Sequence, residues 1–163
     1  MMSIFIVMIA VCNSAQCLEY IEDKEFSRNP FGVWLLDSEI SEHDLEKYLP
    51  DYQFEKQYEE NLHDPEVVDE FLYLTKGETT IIYRSLPEED LYVLYHAEIY
   101  DQDLVLNKGI AIGVSKVEFA EKFKVAEALC DTVVVDYEGM SDHIFYFKED
   151  SLNSFRLQNV SWR

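Results

Sequence analysis

The residue types that most often carry catalysis or metal binding are present, but their spacing matches no catalytic or metal-binding motif. None of the histidines has the His-x-x-x-His spacing that places two metal ligands on one helix face. Isolated histidines of this kind are predicted to lie on the surface. Asp101 and Asp103 lack the Gly and Glu of an EF-hand loop, so they predict an ordinary turn. No Gly-x-Ser-x-Gly elbow, phosphate loop or dinucleotide fingerprint occurs. The four histidines are His43, His63, His96 and His143.

Carboxylates and one cysteine remain as candidates for chemistry. With 33 Asp and Glu, almost any cleft holds two carboxylates, and glycosidase chemistry needs a pair at a separation that sequence does not show. Cys130 precedes a predicted strand without a signature of an activated thiol, which favours a buried apolar residue or a disulfide partner over a nucleophile. We therefore predict that the protein is not an enzyme, with no catalytic residue, no metal site and no cofactor.

The charge balance narrows the class of partner. Thirteen Lys and Arg stand against 33 Asp and Glu, and the formal net charge of −20 repels nucleic acid and anionic lipid surfaces. A hydrophobic content of 48% excludes a disordered chain, and 163 residues suffice for one ordinary domain or two small units. Such acidity is typical of a well-solvated surface, and where it serves recognition it favours a partner protein with a basic surface. The oligomeric state stays open.

Residues 1–15 are predicted to be a signal peptide. Eight apolar residues from Ile4 to Val11 are too few to cross a bilayer and fit a secretory apolar region, although no Lys or Arg precedes them. Small residues follow, no charge occurs before Glu19, and residues 16–30 form a polar lead-in. The predicted location is extracytoplasmic, in the periplasm or cell envelope.

The sequence is compatible with three chemical states of Cys17. As the first mature residue it could carry a lipid anchor, although Gln16 replaces the small residue that usually precedes such a cysteine. It could instead be a free thiol, or form a disulfide with Cys130, which the compartment of an exported protein permits. The spacing of the two cysteines does not decide among these states.

Two segments 74 residues apart carry the same signals for the start of a helix. Ser41 and Ser115 each precede an acidic residue by three positions, so each hydroxyl can accept a hydrogen bond from that residue's backbone N–H. Apolar residues at the staple positions flank both caps. Apolar residues four apart, such as Leu45 and Leu49, then predict one buried face for each helix.

Strands are predicted after each helix. After the second helix, a three-stranded meander is predicted from the segments "DTVVVDYEG", "DHIFYFKED" and "SLNSFRLQNVSWR". After the first helix, three strands are predicted from "YQFEKQY", "TTIIYRSL" and "LYVLYHAEIY". In the last of these, apolar residues alternate strictly from Leu91 to Ile99. The predicted fold class is α+β, with two related units, each a helix packed on an antiparallel meander of about three strands. The first repeat spans residues 31–103 and the second spans residues 104–163.

An acidic helical insertion is predicted within the first repeat, near residues 60–76. Asp64 suits the N-cap, Pro65 the first helical position and Gly77 the terminator. Its flank is the densest acidic stretch of the chain. We therefore predict that this segment binds a partner, with the candidate binding residues Glu59, Glu60, Asp64, Glu66, Asp69 and Glu70.

The stretch "KGIAIGVSKVEFAEKF" followed by three strands resembles small exported proteins of Bacteroidetes-type bacteria. The layout of helix and meander is similar to the superfamily of β-lactamase-inhibitor-like proteins and SmpA/BamE-type outer-membrane assembly lipoproteins. The resemblance covers residues 31–163 as a tandem pair. It implies binding to other proteins on an envelope or extracellular face.

Together these observations predict a non-catalytic exported protein-binding module of the bacterial cell envelope. The alternative is an acidic inhibitor or immunity protein that neutralises a cationic toxin or enzyme, because a charge of −20 favours fast, salt-sensitive association. In both cases the partner is a protein. Nucleic acid is excluded as a partner, and membrane contact is expected only through N-terminal lipidation.

Overall fold

Eight strands of the chain hydrogen-bond into one mixed sheet. The computed structural model describes residues 17–32, 36, 39–61, 64, 66–86, 88–126, 129–136 and 141–159, so the predicted signal peptide lies outside it. The strands are β1 (Leu18–Glu22), β2 (Gln53–Glu60), β3 (Val68–Lys76), β4 (Thr79–Leu86), β5 (Leu91–Ile99), β6 (Thr132–Asp136), β7 (Ser141–Lys148) and β8 (Ser151–Asn159). The described helices are α1 (Lys24–Arg28), α2 (Glu42–Tyr48) and α3 (Lys116–Phe123), with a short 3₁₀ turn at Asn107–Gly109.

The strand order is β1-β6-β7-β8-β5-β4-β3-β2. β1 and β6 run parallel, and every other neighbouring pair is antiparallel. β5 pairs with β8 from His96 opposite Gln158 to Ile99 opposite Phe155, which joins the meander β2–β5 to the meander β6–β8. The predicted fold class, two units of a helix on a three-stranded meander, is therefore wrong. Two separate units would leave the backbone edges of β5 and β8 unpaired, and their pairing removes both edges.

The predicted helical insertion near residues 60–76 is also wrong, because residues 68–76 form strand β3. Leu72 and Leu74 are fully buried on one face of the sheet, while Phe71 and Tyr73 point to the other. β3 lies between β2 and β4, so its backbone is paired on both sides. Pairing partners on both sides and a run of aromatic and β-branched residues outweigh the local helix-start signals.

Both predicted helix caps are confirmed. The Ser41 hydroxyl accepts a hydrogen bond from the backbone N–H of Asp44 at 3.1 Å. The Ser115 hydroxyl accepts from Glu118 N–H at 3.2 Å, and the Glu118 carboxylate accepts from Ser115 N–H at 3.1 Å, completing a capping box. These bonds satisfy backbone donors that a helix end otherwise leaves unpaired.

The core lies between the helices and one face of the sheet, which we call the helix-covered face. Phe26 of α1, Phe119 of α3 and Phe145 of β7 are fully buried, with ring centroids 4.8–5.5 Å apart for the pairs Phe119–Phe145 and Phe26–Phe145. α2 contributes Leu45 to the same cluster. The buried apolar residues of the described α-helices all belong to this cluster, and we call the opposite side of the sheet the open face.

A disulfide joins Cys17 to Cys130 across 113 positions of sequence. The two cysteines stand just before β1 and β6, so the bridge holds the parallel pair at one edge of the sheet. Of the three states that the sequence leaves open for Cys17, the structure contains the disulfide. The polar lead-in predicted for residues 16–30 contributes β1 and α1 to the fold.

Candidate functional site

The six predicted binding residues gather at one end of the β2–β3 hairpin, which we call the acidic hairpin end. Glu59 and Glu60 close β2, and Glu59 lies directly opposite Asp69 of β3. Asp64 and Glu66 lie in the connection between the strands, where the Asp64 carboxylate accepts from Glu66 N–H at 3.0 Å. The grouping is as the sequence predicts, but a hairpin produces it in place of a helix.

Two of the six residues are engaged in ion pairs. Asp69 contacts Arg84 at 2.7 Å and accepts a hydrogen bond from the Asn61 side chain at 2.8 Å. Glu70 accepts from the Tyr92 hydroxyl and lies 3.6 Å from the ammonium of Lys56. The side chains left for a partner are exposed and form no ion pair with another described residue: Glu59, Glu60, Asp64 and Glu66.

Glu70, Tyr92 and Lys56 form a network on the helix-covered face, in which each polar group is bonded to another. Hydrogen bonding from Tyr92 holds the pKa of Glu70 below its usual range, although partial burial opposes this. Burial, then the Glu70 carboxylate, raises the pKa of Tyr92 to about 12. Hydrogen bonding to Glu42, 2.8 Å away, raises the pKa of Lys56. A general acid or base works best with a pKa near the operating pH, so this arrangement suits a structural tie better than proton transfer.

A shallow cleft of about 140 Å³ lies beside the turn after β5. At its base the Asp101 carboxylate contacts Lys76 at 2.8 Å and accepts from the Tyr52 hydroxyl at 3.0 Å and from Asp103 N–H at 3.0 Å. Asp101 and Asp103 form the turn that the sequence predicts. The residues around the cleft are Tyr48, Leu49, Pro50, Asp51, Tyr52, Lys76, Asp101, Asp103 and Leu104.

Lys76 pairs with Asp101 and Asp103, and with Asp51 the residues around this cleft carry three carboxylates against one ammonium. Burial pushes the pKa of Asp101 upward, but the Lys76 ammonium and the two hydrogen-bond donors outweigh it and hold the pKa low. Burial, then Asp101, raises the pKa of Tyr52. Because the polar groups of Asp101, Lys76 and Tyr52 already bond to one another, these three side chains have little to offer a ligand. Among the described residues, no group of three His, Cys, Asp or Glu side chains could hold a metal ion.

An aromatic patch on the open face, formed by Phe71, Tyr73 and Tyr95, is the feature that sequence reasoning missed. The rings of Phe71 and Tyr95 lie 5.3 Å apart. Asp69 precedes Phe71 by two residues on the same face of β3 and lies opposite Glu59, so the patch adjoins the acidic hairpin end. Burial raises the pKa of Tyr73, and the Glu59 carboxylate adds to the shift. The signal was the period-two alternation of Phe71 and Tyr73, which the assignment of this segment to a helix concealed.

The histidines do not form a site within the described residues. His43 is exposed on α2 and His96 is half-buried on β5, whereas His63 lies outside the described residues. His143 is only 1% exposed, which contradicts the prediction of surface histidines. Its Nδ1 lies 3.1 Å from the carbonyl oxygen of Val135, and Phe26 packs against its ring, so it acts as a core residue.

Comparison of the chain with protein-family models, with curated proteins and with solved structures finds no match. The resemblance to the β-lactamase-inhibitor-like and SmpA/BamE-type superfamily therefore stays a prediction. No described helix is long and apolar enough to cross a membrane.

Proposed function

We propose that this protein is a non-catalytic, exported protein-binding module of the cell envelope, and that its partner presents a basic surface. The observation that carries the proposal is the aromatic patch of Phe71, Tyr73 and Tyr95 on the open face, bordered by the acidic hairpin end. Neither feature alone would suffice. Together they provide apolar contact area and a charge that selects the partner.

The physical chemistry of the patch suits a protein interface. Tyrosine side chains bury a large area for little loss of conformational entropy, and they are enriched among residues that dominate binding energy. Phe71 is only 8% exposed, so the contact area that the patch offers a partner comes from Tyr73 and Tyr95, which are half-buried. The carboxylates of Glu59 and Glu60 next to them favour a basic surface and disfavour an acidic one.

Export is supported by two features of the chain. The apolar N-terminal run with small residues behind it is typical of a signal peptide. The Cys17–Cys130 disulfide is of a kind that persists in oxidising compartments. We place the mature protein in the periplasm or cell envelope on these grounds.

A capture experiment tests the binding surface. The mature protein, the Tyr73→Ser/Tyr95→Ser double variant and a Tyr20→Ser control are each used to isolate partners from the native envelope, with identification by mass spectrometry. Tyr20 lies on the same face at the opposite edge of the sheet and is 72% exposed, so it controls for the loss of a surface tyrosine. We expect the wild type and the control to retain one basic protein that the double variant loses. Equal capture of that protein by all three would refute the proposed surface.

The alternative function, an acidic inhibitor or immunity protein for a cationic toxin or enzyme, is favoured by the net charge of −20 and by the exposed Glu59, Glu60 and Glu66. Association with such a target is steered by long-range electrostatics, which salt screens. A steep fall in the association rate with added salt, together with loss of the target's activity, supports this alternative. Association that is insensitive to salt contradicts it.

A further inference from the structure

The strand β2 occupies one end of the sheet, and no described strand pairs with its outer edge. β2 is eight residues long, whereas β1 at the opposite end has five. Most of its side chains are exposed, including Tyr58 at 64%. An edge of this length presents a row of unpaired backbone groups that an additional strand could use.

The register shows which backbone groups face outward. Asn61, which directly follows β2, donates its N–H to the Val67 carbonyl oxygen at 3.0 Å, so the backbone N–H at this odd-numbered position points toward the β3 side. Hydrogen-bonded and non-hydrogen-bonded pairs alternate along an antiparallel ladder. The odd-numbered residues of β2 therefore bond to β3. The residues whose N–H and C=O groups point to the free edge are Phe54, Lys56, Tyr58 and Glu60.

The side chains of β2 give this edge a negative character. Three glutamates stand against one lysine, in the sequence "QFEKQYEE". The ammonium of Lys56 is already held by Glu42 at 2.8 Å and by Glu70 at 3.6 Å. Glu55 and Glu59 project on the open face, because they share the parity of Gln57, which lies opposite Phe71. The edge therefore suits a basic strand.

We propose that β2 is the docking edge for an extended basic segment of the partner protein, which adds to the sheet as a ninth, antiparallel strand. The proposal rests on the proposed function, since it names the kind of partner segment that a binding module of this charge would take. Backbone hydrogen bonds supply the attachment and the glutamates supply the selectivity.

The geometry also predicts the side-chain pattern of the segment. The backbone groups of Glu55 and Glu59 bond to β3, so these two residues would form non-hydrogen-bonded pairs with an added strand. Side chains approach most closely in such pairs, and basic residues are therefore expected opposite both glutamates. Residues opposite Lys56 and Tyr58 lie on the other face, where the exposed ring of Tyr58 favours an apolar side chain. The expected segment alternates basic and apolar residues.

Charge argues against a second copy of this chain as the occupant. When two β2 edges pair in the register centred on Gln57, Glu55 of one copy lies opposite Glu59 of the other, and in every register each copy brings a net charge of −20. Like charges directly opposite one another destabilise a strand pair.

An eight-residue peptide of alternating Lys and Val, matching the length of β2, tests the proposal directly. Its lysines would lie opposite Glu55 and Glu59, and its valine N–H groups would face β2. Backbone N-methylation at the valines should abolish binding, whereas N-methylation at the lysines should leave it intact. A Glu-Val peptide is the charge control and should not bind. Binding is measured by isothermal titration calorimetry with the mature protein.

Amide hydrogen exchange reports the site of binding. In the free protein the amides of Phe54, Lys56, Tyr58 and Glu60 should exchange quickly, and the Lys-Val peptide should protect them. The Tyr58→Pro variant removes one outward N–H without breaking the ladder to β3, because proline is tolerated where an edge-strand N–H faces solvent. We expect it to weaken binding about tenfold, while Tyr58→Ala, which keeps the N–H, changes affinity by less than about threefold.

Several outcomes overturn the inference. These are equal binding of the two N-methylated peptides, binding without protection of the β2 edge amides, no binding of the Lys-Val peptide, or a dimer in sedimentation equilibrium that protects the same amides. The proposed function is tested separately, and it fails if the Tyr73→Ser/Tyr95→Ser variant captures the partner as well as the wild type does. If the peptide protects the β2 edge amides while the double variant captures the partner normally, the edge remains a docking site and the aromatic patch is rejected.

Discussion

Removal of the Cys17–Cys130 disulfide is expected to destabilise the protein strongly, because the bridge closes a long loop that contains strands β1–β5 and the three described α-helices. The perturbation is the Cys17→Ser/Cys130→Ser double substitution in the mature protein. The two cysteines are separated by 113 positions. A cross-link over such a distance restricts the unfolded chain far more than the folded one, in which β1 and β6 already lie side by side.

The magnitude follows from the entropy of loop closure. For a loop of this length the unfolded chain loses about 16 cal/mol/K, which amounts to about 5 kcal/mol at room temperature. In a protein of this size, 1 kcal/mol corresponds to about 2–4 °C in melting temperature, so the expected decrease is about 10–20 °C. The bridge is also anchored beside the five-residue strand β1, so its loss should free this edge first.

Thermal unfolding followed by circular dichroism is the assay, with the oxidised wild type, the reduced wild type and the double variant compared at one pH. Reductant should lower the melting temperature of the wild type to that of the double variant and leave the variant unchanged. Amide hydrogen exchange should show faster exchange in β1 than in β7 or β8 once the bridge is absent. A double variant that melts within about 2 °C of the oxidised wild type would refute the reasoning, because the loop would then contribute nothing to stability.

Two further predictions concern local interactions. Ser115→Ala removes the hydroxyl of the capping box and should cost about 1 kcal/mol in the free energy of unfolding, measured by urea denaturation; an unchanged midpoint would contradict the role of the cap. The pKa of Asp101 is lower in the folded protein than in the unfolded chain, so its contribution to stability is complete above the unfolded pKa of about 4 and is lost as pH falls through the folded value. Asp101→Asn should therefore destabilise the protein at neutral pH and progressively less below about pH 4; a deficit that is the same at both pH values would count against this account.

Local signals in the sequence predicted local structure well. The caps at Ser41 and Ser115 are confirmed because a capping bond joins residues three positions apart, and no distant contact is needed to form it. Strand β5, which was predicted from its alternation, is confirmed, but the predicted apolar face is wrong in its first half, where Tyr92 and Leu94 are buried in place of Leu91 and Val93. Leu94 and Ala97 both face the core, because a bulge near Tyr95 shifts the register against β4. A bulge depends on the neighbouring strand, which the alternation of a single strand does not reveal.

The identity of β3 was decided by tertiary structure. Asp64, Pro65 and Gly77 are sound helix signals when read alone, yet residues 68–76 lie between two strands that pair with both of their edges. Helix propensities differ by less than about 1 kcal/mol per residue, so a full set of ladder hydrogen bonds and the burial of Leu72 and Leu74 outweigh them. The aromatic patch was hidden for the same reason, since it exists only when β3 and β5, on either side of β4, place Phe71 and Tyr95 on the same face of the sheet.

The sequence by itself determined the charge of −20, the alternation of most strands and the two capped helices, because each of these depends on composition or on neighbours along the chain. Only the tertiary structure decided that the two meanders share one sheet through β5 and β8, that Cys17 meets Cys130, and that the acidic hairpin end adjoins an aromatic patch. These contacts join residues dozens of positions apart. Their free energy comes from burial and strand pairing that are available only when the whole chain has folded, so no local pattern records them.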